Sequence, residues 1–207
     1  MDADVTLLDP SMLDVYEELL RAQGVPVDEW LNPGLTKEEM DTKAASIGLT
    51  LPTEARVWWE WHDGESRDSR ESALGPFKPF LPLDVAIEQY MMSRDVAMKA
   101  AEPDNPPLDD PDFLWPPVWL PIGGDGGHPV VIDCSVAEGE PTPLWAVMWA
   151  AAVEDRAELA SPSLGQMVAW RIEALENGAW KWDPETSYWE EENRDLLPQA
   201  LRLHSFL

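Results

Sequence analysis

The chain has little positive charge for its size. Its 207 residues include 14 Lys and Arg against 40 Asp and Glu, which gives a formal net charge of −26 at pH 7. Phosphate backbones and anionic membranes are bound through Lys and Arg, so we expect neither nucleic acid nor a membrane as partner. A basic protein would instead be steered toward this surface. Solubility, or an acidic or salt-adapted proteome, explains the same charge equally well.

Cysteine and long apolar runs are also scarce. Cys134 is the one cysteine, which excludes a disulfide framework and a multi-thiolate zinc site. No run approaches the ~18 consecutive apolar residues of a membrane helix, and residues 1–4 lack the features of a classical signal peptide. We therefore expect a cytoplasmic protein, whose 44% hydrophobic content is ample for a core.

The motifs that carry common chemistries are missing: no phosphate loop, dinucleotide fingerprint, nucleophile elbow or His-Glu-x-x-His pair is present. The glycine run 123–127 leads into a strand and lacks a lysine, which favours a hairpin turn. His128 and Asp133 lie at odd spacing in that strand, so they should point to opposite faces. His62, beside Asp63 at a helix end, is typical of a residue that compensates the helix dipole. We expect no catalytic residue, metal or cofactor.

Apolar residues at helical spacing, together with capping residues, predict five helices. They are expected over residues 9–24, 36–48, 52–64, from residue 84 onward, and 161–178. In the second helix Thr36 and Glu39 stand in the capping-box relation. In the fourth, Asp84 is expected as the N-cap, with Met91 and Met98 facing inward.

Four strands are predicted between the last two helices: residues 118–122, 129–134, 144–149 and 153–159. Their connections are too short for parallel crossovers, so an antiparallel meander is expected. Residues 65–72 read as a surface loop, 102–117 as an irregular loop and 183–195 as an acidic tail. In the last helix we expect Ile172 on the buried face, or Arg171 on its rim.

Short segments occur in an order that resembles the SUKH superfamily. They are Pro-Gly-Leu-Thr at 33–36, Leu-Pro-Thr-Glu at 51–54, Trp-Trp-Glu-Trp-His-Asp-Gly at 58–64, Trp-Leu-Pro-Ile at 119–122 and Ser-Pro-Ser-Leu at 161–164. The resemblance covers roughly residues 32–182 and implies an α+β fold, with an antiparallel β-meander flanked by helices. Residues 1–31 would form an N-terminal helical extension, and residues 183–207 an acidic segment with a docked hydrophobic end.

What the resemblance implies about function is binding, not catalysis. The superfamily includes fungal cell-wall-synthesis regulators and bacterial immunity proteins, which neutralise polymorphic toxins, many of them nucleases, by occupying them. A regulatory or scaffold module that binds a housekeeping partner is the alternative, and an enzyme acting through unrecognised carboxylates is a third hypothesis. The sequence departs from the superfamily at His128, where Asn is frequent, and at the alanines 150–152.

Three residues in the most family-like segments are candidates for binding: Trp58, Trp119 and Asp133. Tryptophan is enriched in recognition surfaces, but it more often stabilises cores through its large buried area. Asp133 has the competing interpretation that it anchors a turn. Both interpretations stay open at the level of sequence.

Overall fold

The structure, a computed structural model, describes residues 5–66, 72–76, 79–102, 104–105, 108–125, 127–148 and 157–203. Its helices are α1 (Pro10–Ala22), α2 (Val27–Trp30), α3 (Lys37–Ala45), α4 (Thr53–Trp61), α5 (Leu83–Ala100), α6 (Pro111–Leu114), α7 (Leu164–Glu176) and α8 (Gln199–Leu203). Its strands are β1 (Leu31–Pro33), β2 (His62–Glu65), β3 (Trp119–Asp125), β4 (His128–Asp133), β5 (Leu144–Val147), β6 (Ala157–Ser161), β7 (Trp180–Asp183) and β8 (Tyr188–Glu191). The predicted α+β class is confirmed.

The central sheet is an antiparallel meander in the order β3-β4-β5-β6, as the short connections predict. Two further antiparallel pairs, β1-β2 and β7-β8, lie outside it. Both were missed in the sequence, because three- and four-residue strands give little alternation to detect. The fourth predicted strand begins at residues outside the described part of the chain; the observed β6 starts at Ala157.

Helix starts follow the capping residues that the sequence offers. The Asp9 carboxylate accepts a hydrogen bond from the Met12 backbone N–H, and α1 begins at the next residue, Pro10. At α3 the Thr36 hydroxyl accepts from the Glu39 N–H, while the Glu39 carboxylate accepts from the Thr36 N–H at 2.8 Å. This confirms the capping box.

The prediction for α5 was wrong in two respects. Its first turn is capped from β2, because Asp63 Oδ1 accepts from the Leu83 N–H at 2.7 Å, and Asp84 lies inside the helix. Met91 and Met98 are 51% and 57% exposed and do not face inward. Seven residues apart, they share one side of the helix, about 100° round from the buried Tyr90 side.

The predicted loops hold more structure than expected. Glu65 belongs to β2 and is buried, and α6 lies within the stretch 102–117. In the acidic stretch 183–195, β8 pairs with β7 and buries Trp189 against Trp182. A carboxylate-rich composition favours a segment exposed to solvent. It does not reveal the few apolar residues that fix such a segment against the core.

Alternation along β3, β4 and β5 divides the sheet between two cores. One face, with residues such as Leu120, Ile132 and Ala146, packs against the main helical core. The other face carries Val131 and Val147 and is covered by a smaller cluster from α5, α6 and the segment after α6. The helix α1 packs against α7, and its residues Leu13, Tyr16 and Leu20 belong to the main core. Among the described residues, no helix is both long and apolar enough to cross a bilayer.

Candidate functional site

Trp119 and Asp133, two of the residues proposed for binding, lie opposite each other on β3 and β4. The half-buried Trp119 ring stacks on Trp145 of β5, with centroids 6.3 Å apart and planes 20° apart. Asp133 Oδ1 accepts hydrogen bonds from the Ser135 backbone N–H at 2.8 Å and from its hydroxyl at 2.6 Å. Asp133 thus anchors the turn after β4, and Trp119 belongs to the smaller core. A role of either residue in binding stays a prediction.

Trp58, the third proposed residue, lies on the opposite side of the sheet. It is 1% exposed, and its ring centroid lies 4.6 Å from that of Phe80. With Gly123 and Arg171 these two residues line a cavity of about 30 Å³ beside the glycine turn. A cavity of this volume holds water, whereas organic ligands occupy pockets about ten times larger. Trp58 therefore contributes to packing here, and its role in binding also stays a prediction.

Arg171 is the residue that sequence spacing misplaced. It is 7% exposed and contributes a positive charge close to two buried acids, Tyr16 and Glu65. Burial raises the pKa of Tyr16 to about 12 and raises the pKa of Glu65 above its ordinary value, and the Arg171 charge opposes both shifts. The Glu65 carboxylate also accepts from the Phe80 N–H at 2.9 Å, while the Tyr16 hydroxyl donates to the Leu74 carbonyl. The cluster holds residues 72–76 and 79–80 against the core.

A larger hollow of about 440 Å³ lies where α3 and α4 approach the turn after β4. Lys37, Arg56 and Cys134 are on its wall. The Arg56 guanidinium is engaged: Nη1 lies 2.6 Å from Asp41 Oδ1, and Nε donates to the Leu51 carbonyl at 3.1 Å. Burial raises the pKa of the Cys134 thiol to about 12, so it carries almost no thiolate at neutral pH. The hollow has the size of a small-molecule pocket without an activated nucleophile.

His62 is occupied by structural contacts. Its Nδ1 lies 2.8 Å from the Asn32 carbonyl oxygen, and its Nε2 lies 3.2 Å from Glu17 Oε2. Burial raises the pKa of Glu17, but hydrogen bonds from Arg21, Trp61 and His62 outweigh it and leave the pKa below its ordinary value. Within the described ranges, no three His, Cys, Asp or Glu side chains gather closely enough to hold a metal ion.

A family model described as "SMI1 / KNR4 family (SUKH-1)" matches residues 34–170, roughly two thirds of the chain. The chain belongs to the SUKH-1 family. A search of curated proteins finds no match. The SUKH-1 match starts within the segment that joins β1 to α3 and ends inside α7, so α1 and the β7-β8 pair lie outside it.

The SUKH-1 sequence signals coincide with close contacts of the fold. A Cβ at Gly34 would lie 1.8 Å from the Glu60 carbonyl oxygen, so only glycine fits beside the end of α4. Gly64 has φ 70°, and a Cβ there would lie 2.0 Å from the Pro82 nitrogen. Glu54, in the Leu-Pro-Thr-Glu segment, is 2% exposed and accepts three backbone hydrogen bonds. These signals stabilise the fold, so residues that contact a partner must be sought on the surface.

Of the two departures from the SUKH-1 pattern, His128 lies exposed at the start of β4. The alanines 150–152 fall outside the described residues. The burial of Glu54 and Glu65 was not predicted from the sequence. The chain has 40 Asp and Glu residues, and no local pattern distinguishes these two from the solvated ones. The available signal was the position of Glu54 in the first turn of a predicted helix. Most carboxylates at such positions are solvated, so this signal alone does not predict burial.

Proposed function

We propose that this chain is a non-catalytic cytoplasmic binding protein that neutralises a bacterial polymorphic toxin by direct contact. Membership of the SUKH-1 family carries the proposal, because bacterial proteins of this superfamily include immunity proteins encoded beside toxins. The net charge of −26 supports a basic toxin domain as the target. A nuclease fits this description, since its substrate-binding surface is basic in order to hold phosphates.

The site chemistry described above supports binding over catalysis. The buried carboxylates Glu54 and Glu65 are used by backbone N–H groups, and Cys134 is held as a neutral thiol. An acidic protein that covers the phosphate-binding surface of a nuclease needs no reactive group of its own. Electrostatic complementarity supplies rapid association, and an apolar contact supplies slow dissociation.

Co-expression tests this function. The toxin domain encoded next to this chain should arrest growth of a host strain, and co-production of this chain should restore growth. A SUKH-1 protein encoded beside a different toxin is the matched control and should give no protection. Continued growth arrest, despite soluble production of both proteins, would contradict the proposal.

A pull-down from the native host separates immunity from the alternative, a regulatory or scaffold module. An immunity protein recovers its toxin in a one-to-one complex. Recovery of a non-toxin cellular protein at the same stoichiometry, together with failure of the co-expression test, would favour the regulatory module.

A further inference from the structure

The C-terminal half of α5 and the adjacent α6 expose an unusual number of large apolar side chains. We call them the methionine face: Met91 is 51% exposed, Met92 64%, Val96 44%, Met98 57% and Phe113 44%. Apolar residues scattered singly over a surface need no explanation, but a group on neighbouring elements marks an interaction site. Methionine is also the side chain that adapts most readily to a partner's shape.

The methionine face extends over two elements that are fixed to each other. Arg94 of α5 joins them: its Nη2 lies 2.7 Å from Asp112 Oδ1 of α6, and its Nη1 donates to the Trp115 carbonyl at 2.5 Å. Arg94 is three residues from Met91 and four from Met98, so all three are neighbours on the helix surface. The exposed Phe113 follows Asp112 directly. The face is therefore held in place before any partner arrives.

Nothing in the core requires these side chains. The inward side of α5 is supplied by Leu83, Ala86, Ile87, Tyr90 and Ala97, all of them buried. Met91 and Met98 lie one heptad apart on one edge of the exposed side, and Met92 and Val96 form an i, i+4 row on the other. Glu88, Asp95 and Lys99 lie between the two rows. Exposing this apolar area without a partner gains no burial energy.

The charge around the methionine face is negative. Glu88 lies one turn before Met91 and Met92 on α5, and Glu102, Asp104 and Asp109 are exposed in the segment that follows the helix. The two cations of this part of α5 are already engaged, Arg94 with Asp112 and Lys99 with Asp95 at 2.5 Å. The uncompensated local charge is thus carboxylate, in a protein whose net charge is −26.

We propose that the methionine face is the docking site for a basic amphipathic helix of a protein partner. The apolar stripe of that helix would lie on Met91, Met98 and Phe113, which share the Arg94 side of the methionine face, and its Lys and Arg would pair with nearby carboxylates such as Glu88. A second copy of this chain is disfavoured as the occupant, because it would bring two acidic rims together. The identity of the helix as part of a toxin rests on the proposed function; the docking chemistry does not.

A designed peptide tests the docking chemistry directly. The probe is a fluorescent Lys/Leu peptide of about 18 residues with one apolar stripe, about five helical turns, and its partner is a scrambled peptide of the same composition. Anisotropy should show the striped peptide binding at least about tenfold more tightly than the scrambled one. The double variant Met91→Ser/Met98→Ser should weaken striped-peptide binding by about tenfold and leave scrambled-peptide binding unchanged.

Matched variants control for general effects. Val15→Ser/Leu196→Ser removes two apolar residues elsewhere, each 43% exposed, and should leave binding unchanged. Glu88→Gln/Asp104→Asn/Asp109→Asn should slow association more than Glu173→Gln/Glu176→Gln/Glu185→Gln, which removes the same charge from α7 and the β7-β8 turn. Circular dichroism checks that each variant is folded.

Equal binding of the striped and scrambled peptides, or equal losses in the face and control variants, would overturn the inference. So would sedimentation showing a dimer that Met91→Ser/Met98→Ser dissociates, because a second copy would then be the occupant. Failure of the toxin co-expression test with success of the peptide test would reject the immunity function and leave the docking site standing. The reverse result would reject the docking site alone.

Discussion

The Glu54 carboxylate accepts a hydrogen bond from the Leu8 backbone N–H at 2.7 Å, although the two residues are 46 positions apart. The same Glu54 Oε1 accepts from the Gly165 N–H at 2.9 Å, and Oε2 accepts from the Thr142 N–H at 2.5 Å. One buried acid thus joins the N-terminal segment, the residues before β5 and the start of α7 to α4.

Replacing Glu54 tests this connection. Glu54→Gln keeps one acceptor oxygen but turns an amide donor toward at least one of the three backbone N–H groups and removes the charge that they stabilise, so it should lower the free energy of unfolding by about 3 kcal/mol. The control is Glu60→Gln, an exposed change in the same helix, which should alter it by less than about 0.5 kcal/mol. Urea denaturation measures both, and equal small effects would mean that the buried carboxylate is dispensable.

Gly165 gives a prediction of unusual sign. Glycine to alanine inside a helix ordinarily stabilises by about 0.5–1 kcal/mol. Here a Cβ would lie 2.2 Å from the Leu7 carbonyl carbon and 2.3 Å from the Leu8 nitrogen. Gly165→Ala should therefore lower the melting temperature, because backbone must move to admit the methyl group. A raised melting temperature would contradict the close packing of residues 6–8 on α7.

Glu65 should make the stability fall as pH rises. Burial raises its folded-state pKa above the unfolded value of about 4.5, so between these two values the folded state holds more protons than the unfolded state. Rising pH then favours unfolding until it passes the folded pKa. Glu65→Gln removes this titration, so the free energy of unfolding of wild type relative to the variant should decrease from pH 4 upward. A pH-independent difference would contradict the shift.

Cys134 should resist alkylation. Burial raises its pKa to about 12, and only thiolate reacts with iodoacetamide. In the native protein at pH 8 the reaction should be at least about a hundredfold slower than in urea, as followed by mass spectrometry. Equal rates would show that the hollow beside α3 exposes a reactive thiol.

The sequence predicted elements whose signals are local and failed where a distant contact decides. Asp9, Thr36 and Ser163 mark helix starts because capping uses only the next turn. The meander followed from connection lengths alone. Glu65 was assigned to a surface loop because its carboxylate is satisfied by backbone N–H groups 8 and 15 residues away, which no local pattern records.

The candidate site was less predictable than the fold. Trp58 and Trp119 were chosen as large aromatic residues in family-like segments, but their exposure depends on what packs over them. Met91 and Met98 were assigned to the core because hydrophobicity was given more weight than helix phase. Their exposed positions follow once α5 is known to bury Tyr90 and Ala97.

Under the proposed function, this acidic SUKH-1 protein acts by binding a basic toxin domain. The direct measurement is association of the purified chain with the toxin domain encoded beside it, followed by surface plasmon resonance at several NaCl concentrations. We expect a one-to-one complex whose association rate falls by about tenfold between about 0.05 M and 0.5 M NaCl. No complex at micromolar concentration, or an association rate independent of salt, would contradict it.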